Sequence, residues 1–114
     1  MRLNMKKKSK DIVAQLSEKK FMGRVIAGAN ALGYLVYHTH DSRRSTAGWP
    51  DLVLCHPKSH RLLIVEIKTD AGKVSVAQQM WLDALILCGV EALVLRPADW
   101  DEFWETLRDL AKWK

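Results

Sequence analysis

The 114-residue sequence predicts an α/β (α+β) domain: one mixed β-sheet flanked by helices, in the order α-β-β-β-α-β-α. Two observations predict it. Three strand-like runs follow the first helix with no helix between them, so they can pair as an antiparallel meander. A fourth strand comes only after a second helix. It must return by a crossover, almost always right-handed, which sets it parallel to the third strand.

Each element has its own signal. Ser17 is a good N-cap, and Phe21, Val25, Ala29 and Leu32 recur at helical spacing until Gly33 stops the helix. Tyr34–Thr39 is a strand, and 40–50 is a polar loop holding Arg43, Arg44 and Gly48. Leu52–Cys55 and Leu62–Ile67 are apolar, β-rich runs separated by the turn cluster Pro57-Lys58-Ser59. Ser75 caps a second helix through Leu87, and Ser75-x-x-Gln78 matches a capping box. Glu91–Leu95 is the last strand. Asp99 with Glu102 suggests another capping box, and the final helix places Trp100, Phe103, Trp104, Leu107 and Leu110 on one stripe. That stripe reads as core, or as a dimer face that also includes Trp113. One domain is expected over 17–114, preceded by a basic, flexible arm over 1–16.

The central hairpin carries the chemistry. With its turn centred between Lys58 and Ser59, antiparallel partners have numbers summing to 117, and Asp51 then opposes Glu66. Directly opposed residues share a sheet face, where like charges repel. Lys68 falls on that same face, because side chains alternate along a strand. Two carboxylates and an ammonium converge at the open end of the hairpin, and a hard divalent cation would neutralise the pair.

Pro50-Asp51 followed by Glu66-Ile67-Lys68 resembles the PD-(D/E)xK nuclease signature. The flanks, Gly48-Trp49-Pro50-Asp51-Leu52, Val65 before Glu66, Gln78-x-x-Trp81-Leu82 and Gly89-Val90, are similar to a VRR-NUC domain over roughly Ser17 to Phe103. The resemblance implies a restriction-endonuclease-like fold. It also implies Mg²⁺, with Mn²⁺ as a substitute, held by Asp51 and Glu66, with Lys68 orienting the attacking water. Glu18, in the first turn of helix one, matches an acid that completes the family's site as a ligand or support, although an acid at a helix start also favours the helix dipole by itself. A Gln often follows the position of Phe21 in the family; here it is Met22. Gln78 is expected either to close its capping box or to contact the site, while Trp81 reads as core.

Other candidates are weighed on their own residues. Arg43 and Arg44 suit phosphate contacts or a solvated loop, and Lys19, Lys20 and His38 are further candidate DNA contacts. His38 and His40, at i and i+2, could form part of a zinc site with Cys55, although no fourth ligand has suitable spacing.

Composition narrows the classes. No apolar run approaches the roughly 20 residues of a membrane span, and the lysine-rich start lacks the apolar stretch of a secretory signal. Cys55 and Cys88 lie far apart within apolar segments and are expected as buried thiols in a reducing cytoplasm, bacterial or phage-infected. The net charge of +5 is uneven: residues 1–24 hold eight Lys or Arg against two acids. Such an arm fits nucleic acid or a solvated terminus.

The expected function is a Mg²⁺-dependent endodeoxyribonuclease. Small phage-associated members of the resembled family imply structure-specific cutting of branched DNA or four-way (Holliday) junctions. Symmetric cutting of two strands calls for a homodimer. The alternatives are a non-catalytic nucleic-acid-binding module or an accessory subunit with the same fold.

Overall fold

The computed structural model describes residues 17–39 and 46–111; the side chains of Leu110 and Ala111 are outside the description. Its elements are α1 (Glu18–Ala31), β1 (Leu35–His38), β2 (Leu52–His56), β3 (Arg61–Ile67), α2 (Val76–Leu87), β4 (Glu91–Leu95) and α3 (Trp100–Ala111), with short 3₁₀ turns at Pro57–Ser59 and Pro97–Asp99. The four strands form one sheet in the order β1-β2-β3-β4. β1, β2 and β3 are antiparallel, and β4 runs parallel to β3. The expected order and the mixed sheet are both present.

Local chemistry explains the boundaries. The Ser17 hydroxyl accepts from the Lys20 backbone N–H, and the Ser75 hydroxyl accepts from that of Gln78, so both helices start at their predicted caps. The hairpin keeps the predicted register: Leu52 pairs with Val65 and His56 with Arg61. Its turn is a 3₁₀ turn closed by His60 at φ 57°. Asp99 departs from expectation. It does not form the predicted capping box with Glu102; its carboxylate turns back to accept from the Arg96 backbone N–H at 3.1 Å, which shapes the 3₁₀ turn ahead of α3.

The two sheet faces have different work. Leu52, Leu54, Leu63, Val65, Ile67 and Leu95 pack against Phe21, Val25 and Ala29 of α1 and Phe103 and Leu107 of α3, forming the main core. Gly28 lets α1 approach α3: a Cβ there would lie 2.8 Å from the Trp104 ring. Trp100 and Trp104 stack at 5.7 Å, and Trp100 meets Phe21 edge-on. These two aromatics are therefore occupied within the domain rather than presented as a dimer face; Trp113 lies outside the described residues. The opposite sheet face, carrying Ile64 and Glu66, is partly covered by α2. There Cys88 corrects the expectation of two buried thiols. It follows the last turn of α2 and is exposed, while Cys55 is half-buried.

Candidate active site

Asp51 is placed by its loop. Gly48 has φ +89°, and a Cβ on it would run into the backbone carbonyl of Ala77 in α2. Only glycine lets the loop lie this close to the helix. Trp49 meets Trp81 edge-on at 5.2 Å, and the Trp81 indole N–H donates to the Ala47 carbonyl at 3.2 Å. Trp81 thus fastens the loop to α2, a task beyond the core role expected of it. Pro50 is buried, and Asp51 emerges one residue before β2.

Asp51 and Glu66 stand opposite one another, continuing by one residue the ladder that pairs Leu52 with Val65. The Asp51 Oδ2 accepts from the Ile67 backbone N–H at 2.8 Å, fixing that carboxylate at the end of β3. Glu66 is only 2% exposed. Its Oε2 accepts from Gln78 Nε2 at 2.8 Å and lies 3.5 Å from Lys68 Nζ. Burial, followed by the Asp51 charge, pushes the Glu66 carboxyl up to about 7, with Lys68 opposing the rise.

Gln78 has both of the roles foreseen for it, and the first enables the second. Its Oε1 accepts from the Ser75 backbone N–H at 2.8 Å, completing the capping box. With the carbonyl end committed there, the amide end is aimed at Glu66.

Glu66 Oε1 is buried and has no hydrogen-bond partner. A bare carboxylate oxygen beside a second carboxylate is a poor arrangement for the protein alone and a suitable one for a hard cation. Mg²⁺ typically takes one or two carboxylates and keeps several waters, so Asp51 and Glu66 fit that ion. Among the described residues, no group of three or more His, Cys, Asp or Glu side chains comes together. Glu18 is exposed in the first turn of α1 and is not gathered with the pair.

The remaining candidates are dispersed. Lys19 and Lys20 are exposed beside Glu18. His38 pairs across the ladder with Leu52, a main-core residue, so it lies on the sheet face opposite Glu66. Cys55 alternates onto the other face from His38, which separates two of the three proposed zinc ligands. His40, Arg43, Arg44 and the 1–16 arm lie outside the described residues.

Arg96 was missed. Its Nη1 donates to the carbonyls of Thr69 at 2.6 Å and Gly72 at 2.7 Å, in the turn following Lys68. Parallel pairing of Ile67 with Leu95 makes Lys68 and Arg96 successive neighbours, a register that the crossover argument could have supplied.

Opposed acids at a hairpin's end with a lysine two residues further on, set in a mixed sheet between helices, define a nuclease domain of the PD-(D/E)xK class. Within that class the chain belongs to the VRR-NUC domain family, whose model matches residues 4–99. It is also 36% identical over 56 residues to a Fanconi-associated nuclease 1 homolog of Schizosaccharomyces pombe, and equally so to one of Caenorhabditis elegans. Each match covers 49% of this chain but only 8% and 6% of those relatives, so the chain spans a small part of their length. No solved structure gives a significant match. Among the described residues, no helix is long and apolar enough to cross a membrane.

Proposed function

We propose that the chain is a Mg²⁺-dependent endodeoxyribonuclease, with Mn²⁺ able to substitute, in which Asp51 and Glu66 hold the metal and Lys68 assists the attack. One observation carries this reading: the buried, unpartnered Oε1 of Glu66 beside Asp51, with Lys68 Nζ 3.5 Å from the other oxygen. A bound Mg²⁺ would lower the pKa of a water and withdraw charge from the scissile phosphate. Asp51 is held for its part by the Ile67 amide, and Glu66 by Gln78. Lys68, largely buried at the pair, is placed to orient a water and to offset charge on the phosphorane-like transition state. Glu18 is assigned a supporting role, reached once DNA or metal is present.

The substrate proposed is branched DNA, four-way junctions included. Recognition of such a substrate would rest on DNA shape rather than on base reading. The basic residues Lys19, Lys20, Arg43 and Arg44 would contact phosphates, and His38 is the weakest of the proposed contacts because it lies on the other sheet face.

A homodimer is part of the reading. Val76, Met80 and Leu87 form an outward stripe on α2 and are 89%, 62% and 87% exposed. A helix apolar on its solvent side marks an interaction surface. Asp83, the one ionisable residue of α2, lies on the same face and accepts from Gln79 at 2.8 Å, so each copy brings a single carboxylate to the contact. Met80→Glu with Leu87→Glu should convert a dimer to a monomer in light scattering.

The decisive experiment is cleavage of supercoiled plasmid, linear duplex, single strand, flap and four-way junction with Mg²⁺, Mn²⁺ or EDTA. Paired, metal-dependent cuts on the junction alone support the full reading, and cuts on every substrate support a general nuclease. Retention of Mg²⁺-dependent cleavage by both Asp51→Ala and Glu66→Ala would sink the assignment. Tight binding without cleavage in any metal would favour the binding-module alternative.

A further inference from the structure

We propose that Arg96 is a positioning residue that holds Lys68 in place through the turn at 69–72; the inference rests on the role given to Lys68 above. Lys68 is the first residue beyond β3, and its backbone N–H donates to the Leu95 carbonyl at 3.0 Å, extending the parallel ladder by one bond. Arg96 is the next residue along the neighbouring strand. Its Nη1 reaches sideways to the carbonyls of Thr69 and Gly72 at 2.6 and 2.7 Å, and more loosely to that of Asp70 at 3.4 Å. The turn is tied from its own side as well. The Asp70 Oδ1 accepts from the Ala98 backbone N–H at 3.2 Å, and Gly72 N–H donates to Thr69 O at 3.1 Å.

The turn in turn bears on the lysine. Gly72 lies beside the lysine stem: a Cβ added there would come within 3.5 Å of Lys68 Cδ and 3.0 Å of Thr69 Oγ1. A lysine side chain has four flexible torsions and little reason to hold one rotamer. Here the stem runs past a turn whose Gly72 carbonyl is held by a permanently charged donor. The side-chain partners of Arg96 are backbone carbonyls, and charge-assisted bonds of this kind are short and strong. The main core of α1, α3 and the inner sheet face contains neither Arg96 nor the turn.

The test uses the full chain. The ¹H–¹³C Cε resonance of Lys68, assigned by its loss in Lys68→Ala, should lie away from the free-lysine position in the wild type and collapse toward it in Arg96→Met. Kinetics on a four-way junction at saturating Mg²⁺ should show kcat reduced by tenfold or more in Arg96→Met, with KM changed less than twofold. Arg96→Lys should recover part of the loss, because an ammonium can also donate to the two carbonyls. The double variant Arg96→Met with Lys68→Ala should be no slower than Lys68→Ala alone, since both changes remove one function. Should Arg96→Met fold poorly, Asp70→Ala, which removes the turn's tie to the Ala98 N–H and leaves Arg96 intact, should lower kcat in the same direction. An unmoved Lys68 resonance in Arg96→Met, or losses that multiply in the double variant, would overturn the proposal. If Lys68→Ala itself cleaves at the wild-type rate, the nuclease role of Lys68 fails with it, whatever the resonance shows.

Discussion

Glu66 gives the metal-free protein a pH dependence opposite to that of most carboxylates. Its carboxyl is raised from 4.5 to about 7, so between those values the folded chain keeps a proton that the unfolded chain has released. The corresponding stability is fully present below about pH 4.5 and is lost as pH rises through about 7. At about 1.4 kcal/mol per tenfold change in proton affinity, the rise corresponds to at most about 3.5 kcal/mol. Relaxation around the pair and the interplay of Glu66 with Asp51 and Lys68 bring this to roughly 1–2 kcal/mol, or about 4–8 °C in Tm for a domain of this size. Glu66→Gln mimics the protonated state, and its amide oxygen can still accept from Gln78 Nε2. Thermal melts in EDTA should therefore show the variant and the wild type together near pH 4, and the variant higher by that amount near pH 8. Adding Mg²⁺ near pH 8 should raise the wild type alone, because binding requires the ionised carboxylate. Taking the difference between the two proteins cancels the titrating groups that do not interact with Glu66, leaving Glu66 together with its neighbours Asp51 and Lys68. A difference that is flat with pH, or that favours the wild type near pH 8 without metal, would refute the reasoning.

Four further outcomes are expected. Gln78→Glu keeps the capping box but sets a third carboxylate where the amide donates to Glu66 at 2.8 Å, so cleavage should fall roughly 100-fold with about 1–3 kcal/mol lost near pH 8. Gln78→Ala should lose about 1 kcal/mol from the cap instead, measurable by urea denaturation at the same pH. Gly48→Ala combines a left-handed backbone with a clash against the Ala77 carbonyl; about 2 kcal/mol or more of stability should go, and cleavage with it, in paired melting and nuclease assays. Replacing Arg43 and Arg44 together by alanine should weaken junction binding and lower the slope of log K against log salt by roughly 2, read from anisotropy titrations; an unchanged slope means that neither contacts phosphate.

What could be read from the sequence divides along a physical line. The hairpin register was legible because the turn cluster fixes its own centre between Lys58 and Ser59, and that one pairing puts Leu52, Leu54, Leu63 and Val65 on a single face; a slip of one would have moved Glu66 onto the core face. The acid pair followed from that register alone. Caps were legible where a single side chain and a nearby backbone amide decide them, as at Ser17 and Ser75. They were not legible at Asp99, where a proline-started 3₁₀ turn competes for the same carboxylate. The groups around the acid pair were harder because their partners are distant in sequence. Trp81 finds Ala47 only after α2 has packed on the sheet, and Arg96 finds Thr69 only after the crossover is closed. At Gln78 the sequence offers a cap and a site contact as alternatives, and the structure makes both. The amide has two ends, and the cap occupies one of them so that the other has a single direction left. The same division of labour accounts for Arg96: one end of the side chain belongs to the chain beyond β4, and the guanidinium is anchored to the turn beside the lysine. In this small domain Gln78, Trp81 and Arg96 are each tied to backbone groups outside the regular elements, at Ser75, Ala47 and the 69–72 turn, so variants at Ser75, Trp81 and Arg96 should alter cleavage without touching a carboxylate.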